Sequence, residues 1–198
     1  MKQGRLTAGI IARIGVLGAV ASILFYFPEI PVIGFYKLDF STLPALLGAF
    51  AMGPVAGLVV NLIKDITGLL HSSSAGVGEL ADLLVSGSFV VVAGLWYRHA
   101  RTRKGALIGM ALGTLFMALV GALTNYYIMI PFYINTMNFP EGAIIGMMAK
   151  VIPAIDSMFK LILFATIPFN LLKGIVLSLA TLLLYKRLSP LLHDKEKR

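Results

Sequence analysis

The chain has 198 residues, of which 58% are hydrophobic and only 13% charged. A soluble domain of this length does not look like that, so the composition is that of a polytopic membrane protein folded as one compact bundle. A net charge of +8 would suit nucleic acid by magnitude alone, but its distribution follows membrane topology instead, and zero cysteines exclude disulfides, thiolate metal sites and thiol chemistry.

The first apolar segment runs over residues 6–27, after Lys2 and Arg5. It is too long for the apolar part of a cleavable leader and shows no small-residue cleavage site, so it is expected to stay as a span. Ala8, Ala12, Gly15 and Ala19 form a small-residue stripe at helical spacing, which lets another helix approach closely in lipid, within the bundle or from a second subunit. Pro28 and Pro31 break this helix. Residues 28–41 read as a long outer loop holding Tyr36, Lys37 and Asp39, and long loops in compact proteins tend to bind or gate.

A short second segment is predicted over 42–52, a tight turn at Gly53-Pro54, and a third segment over 55–70 containing Asn61, Lys64 and Asp65. The fourth, 77–97, carries Glu79 and Asp82 near its start, where acids complement the helix dipole. A basic turn, Arg98 to Lys104, leads to the fifth segment, 105–132, with Asn125, Tyr126 and Tyr127 near its far end. Residues 135–156 read as a mixed loop, and the sixth segment covers 157–188 with Asn170 and Lys173 one turn apart.

Counting charges fixes the orientation. If the termini and the basic turn share one side, that side holds twelve of the seventeen Lys and Arg against Asp194 and Glu196, while five Lys oppose seven acids elsewhere. The positive-inside rule then puts both termini in the cytosol and requires an even number of spans, for which six fits. Joining 42–62 into one span would give five and place the basic turn outside.

Depth follows from a rise of about 1.5 Å per residue. Lys173 lies roughly 20 Å from the flank at Lys186-Arg187, inside a core about 30 Å thick, where an ammonium needs a partner or a wet cavity. Asn125 lies about 31 Å beyond Lys104, and Glu79 and Asp82 about 24–29 Å from Arg98. Polar groups outside the cytosolic flanks therefore gather in the outer half of the membrane. That is a pocket open to the outside, suited to an uncharged heteroaromatic or polyol-bearing molecule.

Motifs exclude much else. The chain has no phosphate-binding G-x-x-x-x-G-K-[ST], no G-x-S-x-G elbow and no H-E-x-x-H helix, and His71, His99 and His193 are far apart. For an intramembrane enzyme there is no nucleophile–base pair, and for a channel no polar face through the inner half.

Four stretches carry a resemblance: Lys37-Leu38-Asp39-Phe40-Ser41, Phe50-Ala51-Met52-Gly53-Pro54-Val55-Ala56-Gly57, Leu123-Thr124-Asn125-Tyr126-Tyr127 with Pro131, and Ile167-Pro168-Phe169-Asn170-Leu171-Leu172-Lys173-Gly174-Ile175. In this order and spacing, over residues 5–188, the chain resembles the riboflavin-specific S components of energy-coupling factor (ECF) vitamin transporters. The resemblance implies an all-α integral membrane protein with six transmembrane helices, the ECF S-component fold and both termini cytosolic, in a prokaryotic plasma membrane. It implies riboflavin as transported ligand rather than cofactor, and as partners an ECF module of a coupling subunit with two ATPases, besides membrane lipid. Carried over, Asn125, Asn170 and Lys173 contact the flavin, and Asp39 closes the lid with Tyr36, Leu38 and Phe40. Glu79, Asp82 and Tyr126 complete the substrate-binding set. Ala8, Ala12 and Gly15 become the contact with the coupling subunit. The chain departs from the family pattern at Thr42, Asp65 and Asp82. The nearest alternative is an S component for thiamine or a pyridoxine-like compound, but a thiamine site needs more acid and tryptophan, and Trp96 falls at the cytosolic edge.

Overall fold

The computed structural model describes residues 8–27 and 30–193. Lys2, Arg5, Pro28, Asp194, Glu196 and the basic residues after them, which enter the break and charge arguments above, lie outside the described residues. Four helical stretches are long and apolar enough to cross a bilayer: Ala8–Tyr26, Val77–His99, Arg103–Asn135 and Met158–Leu184. Three shorter α-helices and a small hairpin complete the described bundle.

Helix α1 (Ala8–Tyr26) buries Ile14, Gly18 and Ala21 and exposes Ala8, Ala12, Gly15 and Ala19. Its small-residue stripe thus faces away from the bundle. The outer loop expected at 28–41 is more ordered than its sequence suggested. It forms an antiparallel hairpin, β1 (Ile30–Ile33) and β2 (Tyr36–Leu38), with Ile30 opposite Leu38 and Ile33 opposite Tyr36. Side chains alternate across a strand, so Tyr36 and Leu38 turn inward while Lys37 points out. The prolines masked this strand, because Pro31 can sit only where no ladder donor is needed.

Helices α2 (Thr42–Met52) and α3 (Pro54–Gly68) fold back on each other about Gly53, whose φ is 103°. In one continuous helix Ala45 and Gly57 would stand about 18 Å apart. Here a Cβ on Gly57 would lie 2.6 Å from the Ala45 carbonyl oxygen and 2.8 Å from Val90 of α4 (Val77–His99). The segment is therefore two helices and not one. The glycine lets α2, α3 and α4 meet at backbone distance.

Helix α5 (Arg103–Thr124) continues through a π turn, Asn125–Met129, into α6 (Ile130–Asn135). This stack runs three residues past the expected end. The stretch expected as a mixed loop contains α7 (Glu141–Ala149), which starts after Pro140 with an acid in its first turn. Helix α8 (Met158–Leu161) opens on Ser157, whose hydroxyl accepts from the Lys160 amide, and a second π turn, Ile162–Thr166, leads into α9 (Ile167–His193).

Two apolar cores divide this bundle. One gathers Leu46, Val60, Phe89, Met117 and Leu177; the other Ile130, Ile144, Met148, Leu161 and Ile162. On α9 the first core ends at Leu177 and the second begins at Ile167, and Asn170 and Lys173 lie between. On α5 Val120 packs on the first core and Ala122 and Ile130 on the second, so Asn125 lies just within the second core's stretch. Asn170 and Lys173 thus sit between two greasy layers. Filling the contact at Gly57 tests this packing: Gly57→Ala should destabilise the bundle by about 1–3 kcal/mol, read as a lowered midpoint of thermal unfolding in detergent.

Candidate functional site

Lys173 is 5% exposed and Lys64 fully buried, so each ammonium requires close counter-charges. Lys173 Nζ donates to Asp39 Oδ2 at 2.7 Å and lies 3.6 Å from Asp82 Oδ1. Lys64 is paired with Asp82 through the carboxylate's other oxygen and with Asp65 at 3.1 Å. Ser86 Oγ donates to Asp82 at 2.8 Å, Asn61 Nδ2 donates to Asp65 at 3.1 Å, and the Phe25 ring sits 5.4 Å from the Lys64 ammonium. One chain of charge therefore links α3, α4, α9 and the lid. Sequence depth requires that Lys173 find a partner or a wet cavity. Asp82 is part of the answer, but the nearer partner is Asp39, just after the hairpin.

Asp39 follows directly on β2, and its Oδ1 accepts from both the backbone N–H and the hydroxyl of Ser41 at the entry to α2. Burial pushes the Asp39 carboxyl up, yet the Lys173 ammonium, helped by Lys64, holds it below the usual carboxylate range. It remains an anion facing a cation.

Beside this chain sits an aromatic and amide cluster. The Tyr36 ring stacks on Phe169 at 4.9 Å between centroids and 23° between planes. Its hydroxyl is 2.6 Å from Thr166 Oγ1 and donates to Asn125 Oδ1 at 3.2 Å. Burial pushes the Tyr36 phenol up to about 12, so it stays a donor at neutral pH. Asn125 Nδ2 donates back to the Gly121 carbonyl at 2.9 Å, and Asn170 Nδ2 to that of Thr166 at 2.9 Å. A Cβ on Gly121 would lie 2.6 Å from Asn170 Nδ2, so that glycine lets the Asn170 amide lie against α5 one turn before Asn125.

Tyr36 also borders a cavity of about 590 Å³, walled by Phe35, Tyr36, Asn125, Tyr133, Ile144 and Met147 among others. This volume lies within the range for small-molecule sites. Tyr36 and Asn125 wall this cavity, and Asn170, Lys173 and Asp39 do not.

Of the residues singled out in the sequence, Asp39, Asp82 and Lys173 form the ion chain, and Tyr36, Asn125 and Asn170 the adjoining cluster. Leu38 is buried under the hairpin, and Phe40 packs on the inner core. Glu79 stands apart, bonded to Ser72 at 2.8 Å and packed beside Gly68. Tyr126 is half-exposed and rests edge-on against Tyr127. Neither joins the cluster. Sequence reasoning missed Thr166 and Phe169 as site groups, and missed the cavity wall at Met137, Phe139, Ile144 and Met147, which lies in the stretch 135–156 expected as loop. The proline followed by an acid at 140–141 was the available signal for the helix there.

Comparison with known proteins decides the family. Residues 10–185 match the family of the ECF transporter substrate-specific component. The chain belongs to this family. It is 35% identical to the riboflavin transporter RibU of Staphylococcus aureus, over 90% of this chain and 89% of that one. It is 30% identical to RibU of Streptococcus thermophilus over 92% and 83%, and 29% identical to the riboflavin transporter FmnP of Bacillus subtilis over 89% and 90%. A solved S component of a bacterial ECF transporter superposes with a TM-score of 0.71 at 33% identity, covering 93% of this chain and 98% of the other. The protein is accordingly a multi-pass membrane S component, and the ion chain lies in its helical bundle.

Because Lys64 shares Asp82 with Lys173, removing it should strand buried carboxylates. Lys64→Met is expected to cost about 3–5 kcal/mol of stability, measured by thermal unfolding of the purified S component.

Proposed function

We propose that this S component captures riboflavin at the outer face of the membrane for ATP-driven import. The observation that carries the reading is the juxtaposition of Asn125, Asn170 and Lys173 beneath a lid hairpin, beside the aromatic surface of Phe169. A flavin's pyrimidine edge offers carbonyl acceptors and an imide N–H, which two amides and an ammonium satisfy. Its ring system suits stacking on an aromatic side chain, and the ribityl hydroxyls suit carboxylates such as Asp39 and Asp82. The relatives named riboflavin transporters support the vitamin over thiamine or a pyridoxine-like compound.

The topology proposed is six spans with both termini cytosolic: α1, α2, α3, α4, α5 with its extension, and α9 with its lead-in. The charge distribution supports it. Energy comes from a partner module, a membrane coupling subunit with two ATPases, in keeping with a sequence that has no phosphate-binding loop of its own. Ala8, Ala12 and Gly15 are exposed on α1, and a Cβ on Gly15 would meet nothing within 4 Å. That open face suits close docking of the coupling subunit's helices.

Purified protein should quench the fluorescence of added riboflavin, and mass spectrometry should find riboflavin in protein purified from cells; absence of both would overturn the reading. Lys173→Ala and Asn125→Ala should each weaken binding by about 1–3 kcal/mol, the loss typical of a buried polar contact, whereas unchanged affinity would remove that residue from the site. Ala8→Trp should abolish uptake in cells while riboflavin binding persists, and loss of binding would instead indicate packing within the chain.

A further inference from the structure

A second cavity, of about 610 Å³, opens at the opposite end of the bundle from the hairpin. Arg98 borders it in the last turn of α4, whereas Ser73, shortly before that helix begins, borders the cavity beside Tyr36. At about 1.5 Å per residue Val77 and Arg98 are roughly 32 Å apart, about the thickness of a hydrocarbon core. Ile10 and Ile14 of α1, Phe50 and Met52 near the end of α2, and Val59 of α3 make the walls of this second cavity apolar. Arg98 and Arg101, both exposed, make it positive. We propose that it binds the phosphate of an anionic phospholipid from the adjoining leaflet, with one acyl chain laid along α3. The side of the membrane rests on the topology proposed above, which makes this the cytosolic leaflet; the binding itself does not.

Charge is the first argument. The elements around the cavity carry no acid at this end of the molecule. Helices α1 and α2 have none, Asp65 on α3 lies about 16 Å beyond Pro54, and no Asp or Glu occurs between Asp82 and Glu141. Arg103 and Lys104 follow closely and are exposed as well. Basic residues gathered at one membrane surface draw anionic headgroups, and a guanidinium fork matches two phosphate oxygens at once.

Shape is the second. A small soluble anion would engage the arginines and leave the apolar walls without a partner. A cavity of this size admits a headgroup and the top of one chain, and the rest of the chain has a track. Val55, Leu58, Leu62 and Ile66 are exposed along α3 at spacings of three and four residues, so they form one stripe. The stripe starts at the cavity, where Val55 is a wall residue, and rises about 16 Å, half the hydrocarbon thickness. That is the depth of one leaflet.

Position is the third. Ile10 and Ile14 stand two residues from Ala8 and Ala12, about 200° round the helix. The cavity thus meets a different face of α1 from the small-residue stripe assigned to the coupling subunit. A headgroup seated there touches α1, the turn between α2 and α3, and α4 together, and so braces three elements at once.

Thermal unfolding and native mass spectrometry of the purified full-length protein in detergent test this with three probes: dioleoylphosphatidylglycerol, dioleoylphosphatidylcholine and inorganic phosphate. Each arginine should contribute about fivefold, so the glycerol lipid should be retained about 25-fold over the choline lipid and should raise the unfolding midpoint. Arg98→Gln combined with Arg101→Gln should bring the two lipids within about twofold of each other and leave the midpoint without added lipid unchanged. Arg98→Lys combined with Arg101→Lys, which keeps the charge, should keep most of the preference. Equal retention of the two lipids by the wild type overturns the proposal, as does a Gln pair that keeps the preference. A midpoint raised as much by phosphate as by the anionic lipid marks a soluble-anion site and overturns it too. Should the double Gln variant not fold, each single Gln variant, with an expected loss of about fivefold, decides. Sidedness is read separately. The chain has no cysteine, so His99→Cys, exposed in the last turn of α4, should stay unlabelled by a membrane-impermeant maleimide in intact cells. Labelling from outside would overturn the topology and move the lipid to the outer leaflet, with the binding result untouched.

Discussion

A protonated lysine within a bilayer is the constraint on which this structure depends. Lys173 projects from α9 between two apolar cores, where water cannot solvate it, and the protein answers with carboxylates from the lid and from α4. Asp82 in turn faces a second buried ammonium, Lys64, whose own neighbour on α3 is Asp65. Placement of Lys173 thereby fixes where α3 and α4 sit and ties the hairpin down over the bundle. Apolar packing alone would hold the helices together without saying which face of each should meet.

The same layer gives the protein its chemistry. Amides and an ammonium held beside an aromatic surface recognise a flat heterocycle with carbonyls on one edge, and the apolar cores keep competing water away. Asn125 sits at a π turn and Asn170 one turn after another, and such turns interrupt the regular ladder of a helix often at functional sites. The small glycine contact at Gly121 brings the two amides' helices close enough to act on one ligand. Ligand binding and helix packing are therefore one problem here.

Much of this was legible in the sequence because membrane depth is a one-dimensional quantity. Counting residues from the basic flanks put Lys173, Asn125 and Asp82 all in the outer half of the membrane, and helical spacing put Asn170 beside Lys173. What depth cannot supply is the direction in which a side chain points. Glu79 lies at the right height yet bonds to Ser72 at the start of its own helix, and Tyr126 is only one residue past Asn125 but turns outward. The partner of Lys173 was also hidden, since Asp39 is 134 residues away in a stretch whose prolines made it read as loop. The hairpin and α7 both lie outside the spans, where hydropathy carries little signal and local turn chemistry carries most of it. Gly57 is the opposite case: Gly53-Pro54 marked the turn, and the close approach it permits followed from helices too short to do otherwise.

The most direct measurement is an experimental structure of this S component with riboflavin bound. The account predicts a flavin ring beside Phe169, its pyrimidine edge within hydrogen-bond reach of Lys173 Nζ and Asn125, and the pairing of Asp82 with Lys64 retained. A flavin seated elsewhere, out of reach of Lys173, Asn125 and Asn170, would contradict it.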